Sequence, residues 1–178
     1  MIQLFHRLAN IVKRKYYKVL FKSQNNIPHS NFSILGKIFC INHNITIGNN
    51  VSIYPGVVFW GNGPIVIGDN VPIGYNTIIY ASNEGGVTIE SNTNIAAQCY
   101  IIDMDHSFDR EYLIREQKNS VCPIKIESDV WIGANVTILK GSCIGKGAVI
   151  GAKCLVKNVI PSYGIAVGIP ARIIKYRN

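Results

Sequence analysis

Acidic residues are missing from the first 22 positions of this 178-residue chain, no CxxC pair occurs in it, and no apolar run approaches the ~18 residues of a membrane span. Each absence excludes a class of protein. The N-terminus lacks an uninterrupted apolar region, so no secretory signal is read and the chain is expected to stay in the cytoplasm. The five cysteines (Cys40, Cys99, Cys122, Cys143, Cys154) are odd in number and unpaired by spacing. Neither a zinc cluster nor a disulfide framework is indicated, and reduced thiols are expected. The net charge of +8 comes largely from Arg7, Lys13, Arg14, Lys15, Lys18 and Lys22, leaving twelve basic and ten acidic residues elsewhere. Basic charge confined to one end, rather than interleaved with aromatics along a repeated face, argues against nucleic-acid binding. With 48% hydrophobic residues the length suits one domain with a real core.

What the chain does have is an apolar residue every sixth position: Ile47, Ile53, Phe59; Ile67, Ile73, Ile79; Ile89, Ile95, Ile101; then Ile126, Ile132, Ile138, Ile144, Ile150, Val156. This period fits neither the 3.6-residue helix nor the alternation of a half-buried strand, so one inward side chain per short strand is the unit, as in a parallel β-helix. Small or β-branched residues follow four positions after many anchors (Val51, Val57, Val71, Thr77, Thr93, Cys99, Val130, Val136, Ser142, Ala148, Cys154). They suit a tighter inward site at a corner, where a thiol acts as a compact hydrophobe. Between them lie residues that tolerate positive φ, in Gly48-Asn49-Asn50, Gly68-Asp69-Asn70, Ser91-Asn92 and Gly145-Lys146-Gly147.

Three segments follow. Residues 1–26 hold a basic amphipathic helix over 2–21, with Ile2, Phe5, Ala9, Val12, Tyr16 and Val19/Leu20 on one stripe, and the start of a linker with turn chemistry from Ser23 to Ser33. The stripe must be covered, either by the solenoid or a neighbouring subunit, or by peripheral contact of residues 1–22 with an anionic inner membrane surface; both readings stay open. Residues 27–160 form the β-helix, interrupted at Asn83-Glu84-Gly85-Gly86 and by an inserted loop over 103–122. Residues 161–178, with Pro161, Gly164, Gly168 and Pro170, leave the repeat as an irregular tail. Insertions in a solenoid project as loops that commonly carry function.

The stretch Ile126–Val156 resembles the hexapeptide-repeat acyltransferases: an aliphatic residue, a small or acidic one, two free positions, a small residue and one more free position. Asp129-Val130-Trp131-Ile132-Gly133 and Gly168-Ile169-Pro170-Ala171-Arg172-Ile173-Ile174 are similar to the sugar and polysaccharide O-acetyltransferases, including those acting on galactosides and maltose. The resemblance covers roughly residues 45–175. It implies an all-β fold, a left-handed parallel β-helix, with the handedness implied by the family alone because the general crossover preference is right-handed. It also implies acetyl-CoA as co-substrate, no metal, a carbohydrate acceptor, and a homotrimer with active sites between subunits.

By the same resemblance His106, ahead of Pro123, is the general base. Imidazole suits the task of taking a sugar hydroxyl proton and returning it to a leaving thiolate. One of Asp103, Asp105 and Asp109 is expected to orient the ring; which one stays open. The Ala134 amide is the implied oxyanion donor. Trp131 and Asn83, with Asp105, are candidates for the acceptor. The co-substrate's pantetheine arm is expected along Gly133, Ala134, Gly151 and Ala152, and its phosphates near Lys153, Lys157, Arg172 and Lys175. Lys157-Asn158-Val159-Ile160-Pro161 departs by one position from the family's usual basic residue. The leading expectation is O-acetylation of a sugar in a polysaccharide or its precursor. N-acetylation of an amino sugar and a non-catalytic structural trimer are the alternatives. A serine acetyltransferase would need a helical N-terminal domain, and a γ-type carbonic anhydrase more histidines than His43 and His106 in the coils.

Overall fold

The computed structural model describes residues 2–25, 27 and 31–178, with side chains in the helix from Leu8 onward. Asn26 and Pro28–Ser30 of the expected linker, and the side chains of Ile2, Phe5 and Arg7, lie outside the described residues. The chain is a left-handed parallel β-helix of about seven turns preceded by one helix, α1 (Ile2–Asn25).

Three flat faces make up the solenoid. Face 1 carries Phe32–Ile34, Val51–Ile53, Pro72–Ile73, Asn94–Ile95, Trp131–Ile132, Val149–Ile150 and Gly164–Val167, all parallel. Face 2 runs from Phe39–Cys40 through Val58–Gly61, Ile78–Ala81, Tyr100–Ile102 and Thr137–Ile138 to Leu155–Val156. Face 3 runs from Ile45–Ile47 through Ile65–Ile67, Val87–Ile89 and Ile124–Ile126 to Cys143–Ile144. In-register pairs such as Ile73↔Ile95↔Ile132↔Ile150 stack the six-residue anchors one above another. Every anchor from Ile47 to Val156 is buried, as is every small residue assigned to the inward corner. Where that residue is polar, the backbone satisfies it: Thr93 Oγ1 donates to the Glu127 carbonyl at 3.0 Å and Ser142 Oγ to that of Leu139 at 2.6 Å.

The corners need a left-handed residue. Between faces 3 and 1 it is Asn50, Asn70, Asn92 and Asp129, with φ of 55–62°. Asparagine tolerates this region best among residues with a Cβ. Its amide also links coils: Asn50 Nδ2 donates to Asn70 Oδ1, and Asn70 Nδ2 to Asn92 Oδ1, each at 2.9 Å. Between faces 1 and 2 the same conformation falls to Asn76, Gln98, Asn135 and Lys153.

Both ends differ from the sequence expectation. The helix continues through Ser23, Gln24 and Asn25, residues with linker chemistry, because Asn25 is buried and its Nδ2 donates to the Phe21 carbonyl (3.1 Å) and Cys40 Sγ (3.4 Å). Docking uses Tyr17, Phe21 and Asn25; Phe21 packs its ring 5.8 Å from Phe32 and 5.7 Å from Phe59. The stripe expected to be covered is not covered by this chain, since Val12, Tyr16 and Val19 are each more than 60% exposed. Among the described residues no helix is long and apolar enough to cross a membrane. At the other end the tail leaves the coil only after Val167: Ile165 pairs with Val149, and Arg172–Tyr176 then folds back antiparallel on Gly164–Val167. Arg177 fastens it by donating to Asp129 Oδ2 (3.0 Å) and the Gly147 carbonyl (2.8 Å).

Replacing a fully buried anchor, Ile132→Ala, is expected to destabilise the chain by about 2–5 kcal/mol. The outward Val66→Ala should stay within about 0.5 kcal/mol. Equilibrium urea unfolding of both variants checks the assignment of inside and outside.

Candidate functional site

Both interruptions of the repeat fall at the corner between faces 2 and 3. The first is the turn after Ile78–Ala81; the second is the loop after Tyr100–Ile102. Within the loop Met104–His106 pairs antiparallel with Asn119–Val121, placing His106 opposite Asn119. A short 3₁₀ turn (Ile114–Glu116) lies between, and the Gln117 side chain closes the loop by accepting from the Asp109 amide (2.9 Å) and donating to the Asp109 carbonyl (2.8 Å). His106 is exposed, and its ring makes no hydrogen bond among the described residues.

Asp103 holds the two interruptions together. It is fully buried, and its carboxylate accepts from the Ser82 amide at 2.9 Å and the Gly86 amide at 2.6 Å. Its carbonyl accepts from the Cys122 amide at 2.9 Å, at the far end of the loop. A Cβ on Gly85 would lie 2.1 Å from Asp103 Oδ2, so the turn requires glycine there. The structure thus gives Asp103 a different task from the expected orientation of His106, because both carboxylate oxygens are engaged by backbone donors. Asp105, a candidate for the acceptor, instead faces Lys140 at 3.6 Å, and Lys140 also donates to Ser120 Oγ. No carboxylate among Asp103, Asp105 and Asp109 bonds to the imidazole.

Beside this loop a cleft of about 480 Å³ opens, lined by Trp60, Tyr80, Asn83, Glu84, Lys118 and Asn119 among others. Asn83, an expected acceptor residue, lines this cleft. Trp60 and Tyr80 escaped the sequence reading. They are cross-coil neighbours, with ring centroids 5.4 Å apart in an edge-to-face arrangement, and Trp60 is half exposed. The signal was present: each directly follows an inward anchor, Phe59 or Ile79, and the two are one coil apart.

The remaining candidates gather at the corner between faces 1 and 2. The Gly133 amide donates to the Ile150 carbonyl and that of Gly151 to the Ala166 carbonyl, both at 2.8 Å, so neither is available to a ligand. These glycines serve close coil stacking: a Cβ on Gly133 would lie 2.6 Å from the Ala152 nitrogen. Among the described residues the amides of Ala134 and Ala152, one position further, donate to nothing. The two residues stack one coil apart, in line with the Trp131↔Val149 and Ile132↔Ile150 register. Trp131 lies on face 1 between Asn94 and Val149 and is 57% exposed, and Lys153 is exposed at the corner. Further along, Lys157 and Arg172 line one recess of about 170 Å³ with Asn158 and Ala171. No cluster of metal-ligating side chains occurs among the described residues.

His106 and the Ala134 amide are therefore on different corners, separated by face 2. The longest strands of that face, Val58–Gly61 and Ile78–Ala81, have four residues, about 13 Å at ~3.3 Å each, so the two groups lie at opposite edges of it.

The solenoid and its coil pattern define the class, and the family models agree. Residues 123–158 match the model described as bacterial transferase hexapeptide (six repeats), and residues 64–102 that of the hexapeptide repeat of succinyl-transferase. Both stretches carry the hexapeptide repeat that those models describe. It is 38% identical over 116 residues to a probable acetyltransferase of Mycobacterium tuberculosis, covering 65% of this chain and 38% of that protein. It is 35% identical over 133 residues to the galactoside O-acetyltransferase of Escherichia coli, covering 75% and 64%. The chain thus spans less than two thirds of the length of either relative. Among solved structures it is similar to the N-acyltransferase AntD of Bacillus cereus in complex with dTDP-4-amino-4,6-dideoxyglucose and coenzyme A (TM-score 0.80, 26% identity, 90% of this chain and 88% of that one). It is also similar to the polySia-specific acetyltransferase NeuO (TM-score 0.58, 28% identity, 83% and 72%).

Replacing Asp103 by Ala orphans buried amides at Ser82 and Gly86, and about 1–3 kcal/mol of stability should be lost. Hydrogen exchange should quicken at those two amides; if they stay protected, Asp103 is not the clasp described.

Proposed function

We propose that this chain is an acetyl-CoA-dependent O-acetyltransferase acting on a sugar hydroxyl in a polysaccharide or its precursor, at sites formed between subunits of a homotrimer. One observation carries the reading: an exposed His106 beside a polar, aromatic cleft at one corner, and unpaired amides at Ala134 and Ala152 on another. Two half-sites at opposite edges of face 2 become complete when a second copy brings its own corner to the loop. The names of the galactoside and polySia relatives favour a hydroxyl acceptor.

The residues fit the co-substrate. The free amides at Ala134 and Ala152 supply donors along an extended arm, Trp131 offers an apolar wall, and Lys157 and Arg172 converge on a recess suited to phosphate. Bound acetyl-CoA supplies the acetyl group as an activated thioester. His106 accepts the proton of the sugar hydroxyl as it attacks and later gives it to the departing sulfur. The Ala134 amide donates to the oxygen on which negative charge develops. Lys140, paired with Asp105, is a cation close to the histidine strand that holds the loop in place.

The likeness to AntD supports a second reading, transfer to the amine of a nucleotide-linked sugar. An amine needs less help from a base than a hydroxyl, so the two readings separate on one variant. His106→Ala should lower kcat by about 10²- to 10⁴-fold while leaving acetyl-CoA affinity, measured by calorimetry, within about twofold. An unchanged kcat would favour the amine. Mixing His106→Ala with Trp131→Ala subunits, each impaired alone, should restore activity through hybrid sites. No restoration would place the whole site in one chain, and no acetyl-CoA binding by the wild type would sink the transferase reading.

A further inference from the structure

The cleft at the corner between faces 2 and 3 has a length and a charge that specify more than a generic sugar. Trp60 and Tyr80 are paired across adjacent coils, and Ile41, whose amide donates to the Phe59 carbonyl at 2.9 Å, extends the same outward row onto the preceding coil. All three line the cleft. At ~4.8 Å between hydrogen-bonded strands, three coils span about 10 Å along the solenoid axis. Trp60 is 50% exposed and Ile41 56%, so the row offers an open apolar track. Flat aromatic rings suit the C–H faces of pyranose sugars.

The rest of the lining is amide-rich. Asn62, Asn83 and Asn119 each present a side chain able to donate and accept, the pairing that sugar hydroxyls require. Among the described residues of the cleft, Lys118 is the one cation and Glu84 the one acid, so their charges offset. A nucleoside diphosphate would call for several converging donors of positive charge. The cations that do converge, Lys157 and Arg172, are at the C-terminal end of the solenoid, coils away from Trp60. His106 pairs with Asn119, which puts the proposed base at the rim of the same cleft.

We infer that this cleft is the acceptor subsite for an uncharged oligosaccharide of at least two sugar residues, laid along the axis on Ile41, Trp60 and Tyr80, and that it does not take a nucleotide-linked monosaccharide. The inference deepens the proposed transferase reading and rests on it for the word acceptor; the binding claim itself can be tested separately.

The test is a glycan array carrying neutral bacterial mono-, di-, tri- and hexasaccharides beside immobilised UDP- and dTDP-hexoses, probed with the full-length wild type, Trp60→Ala and Tyr80→Phe. Acetyl-CoA affinity of each protein is measured by calorimetry. The wild type should retain neutral oligosaccharides, with affinity rising from one to three residues. Trp60→Ala should weaken retention at least about tenfold, the usual effect of removing a central aromatic anchor, and Tyr80→Phe, which keeps the ring, should bind nearly as the wild type does. Acetyl-CoA affinity should be the same in all three, showing that the variants fold. Retention of nucleotide-hexoses in preference, affinity independent of chain length, or no retention of any neutral oligosaccharide would overturn the inference. Glycan retention without acetyl-CoA binding would leave it standing and remove the transferase reading.

Discussion

The structure depends on one backbone constraint: every coil must turn sharply, and at the corners flanking face 1, from Asn50 onward, it does so by placing a residue in the left-handed region and stacking that corner on the one before. Asn50, Asn70 and Asn92 show the cost and its remedy together, since each adopts a φ near 60° and their amide side chains link consecutive coils. The same constraint produces donors with no partner. At the corner between faces 1 and 2, Gly133 and Asn135 direct their amides to neighbouring coils, while the amide of the intervening Ala134 has no acceptor among the described residues. Ala152 repeats the arrangement one coil later. The fold therefore makes a row of fixed N–H groups about 4.8 Å apart without any side chain being chosen for the purpose.

Departures from the repeat are confined to a second corner. The turn at Ser82–Gly86 and the loop ending at Cys122 both leave the solenoid between faces 2 and 3, and Asp103 clasps them by accepting two amides from one and a third, through its carbonyl, from the other. A buried carboxylate with this many backbone donors is satisfied in place, and it fixes the strand that carries His106 three residues later. Face 2 lies between the corner that carries the loop and the corner of the unpaired amides, and its outward row bears Trp60 and Tyr80.

The cysteines and the helix show how packing can use residues that look reactive or membrane-seeking in isolation. Cys99 is buried at an inward corner, where burial pushes its thiol pKa up, so it is kept protonated and acts as a small hydrophobe. Helix α1 anchors through Phe21 against Phe32 and Phe59, at the open N-terminal end of the core. Its outward row of Val12, Tyr16 and Val19 is thereby displaced from the solenoid, with Lys15 and Lys18 beside it. At the opposite end the strand Arg172–Tyr176 turns back antiparallel and covers the last edge of face 1.

The sequence by itself determined what is repeated locally. A six-residue period names the inward side chains, and residues that accept positive φ name the corners, because each is set within a handful of neighbours. His106 stood out through the family resemblance, as the histidine ahead of Pro123. The tertiary structure decided everything that depends on which corner stacks on which. Coils of 18 to 20 residues, stretched further by insertions, bring Ser82 beside Asp103, a pairing across a full turn that no local pattern encodes. It extended α1 to Asn25 through contact with Cys40, drew Ile165 back onto face 1, and assigned Gly133 and Gly151 to coil stacking while freeing Ala134 and Ala152. Periodicity is a property of single residues and their near neighbours; the partner of a carboxylate or an amide is a property of the assembled coils.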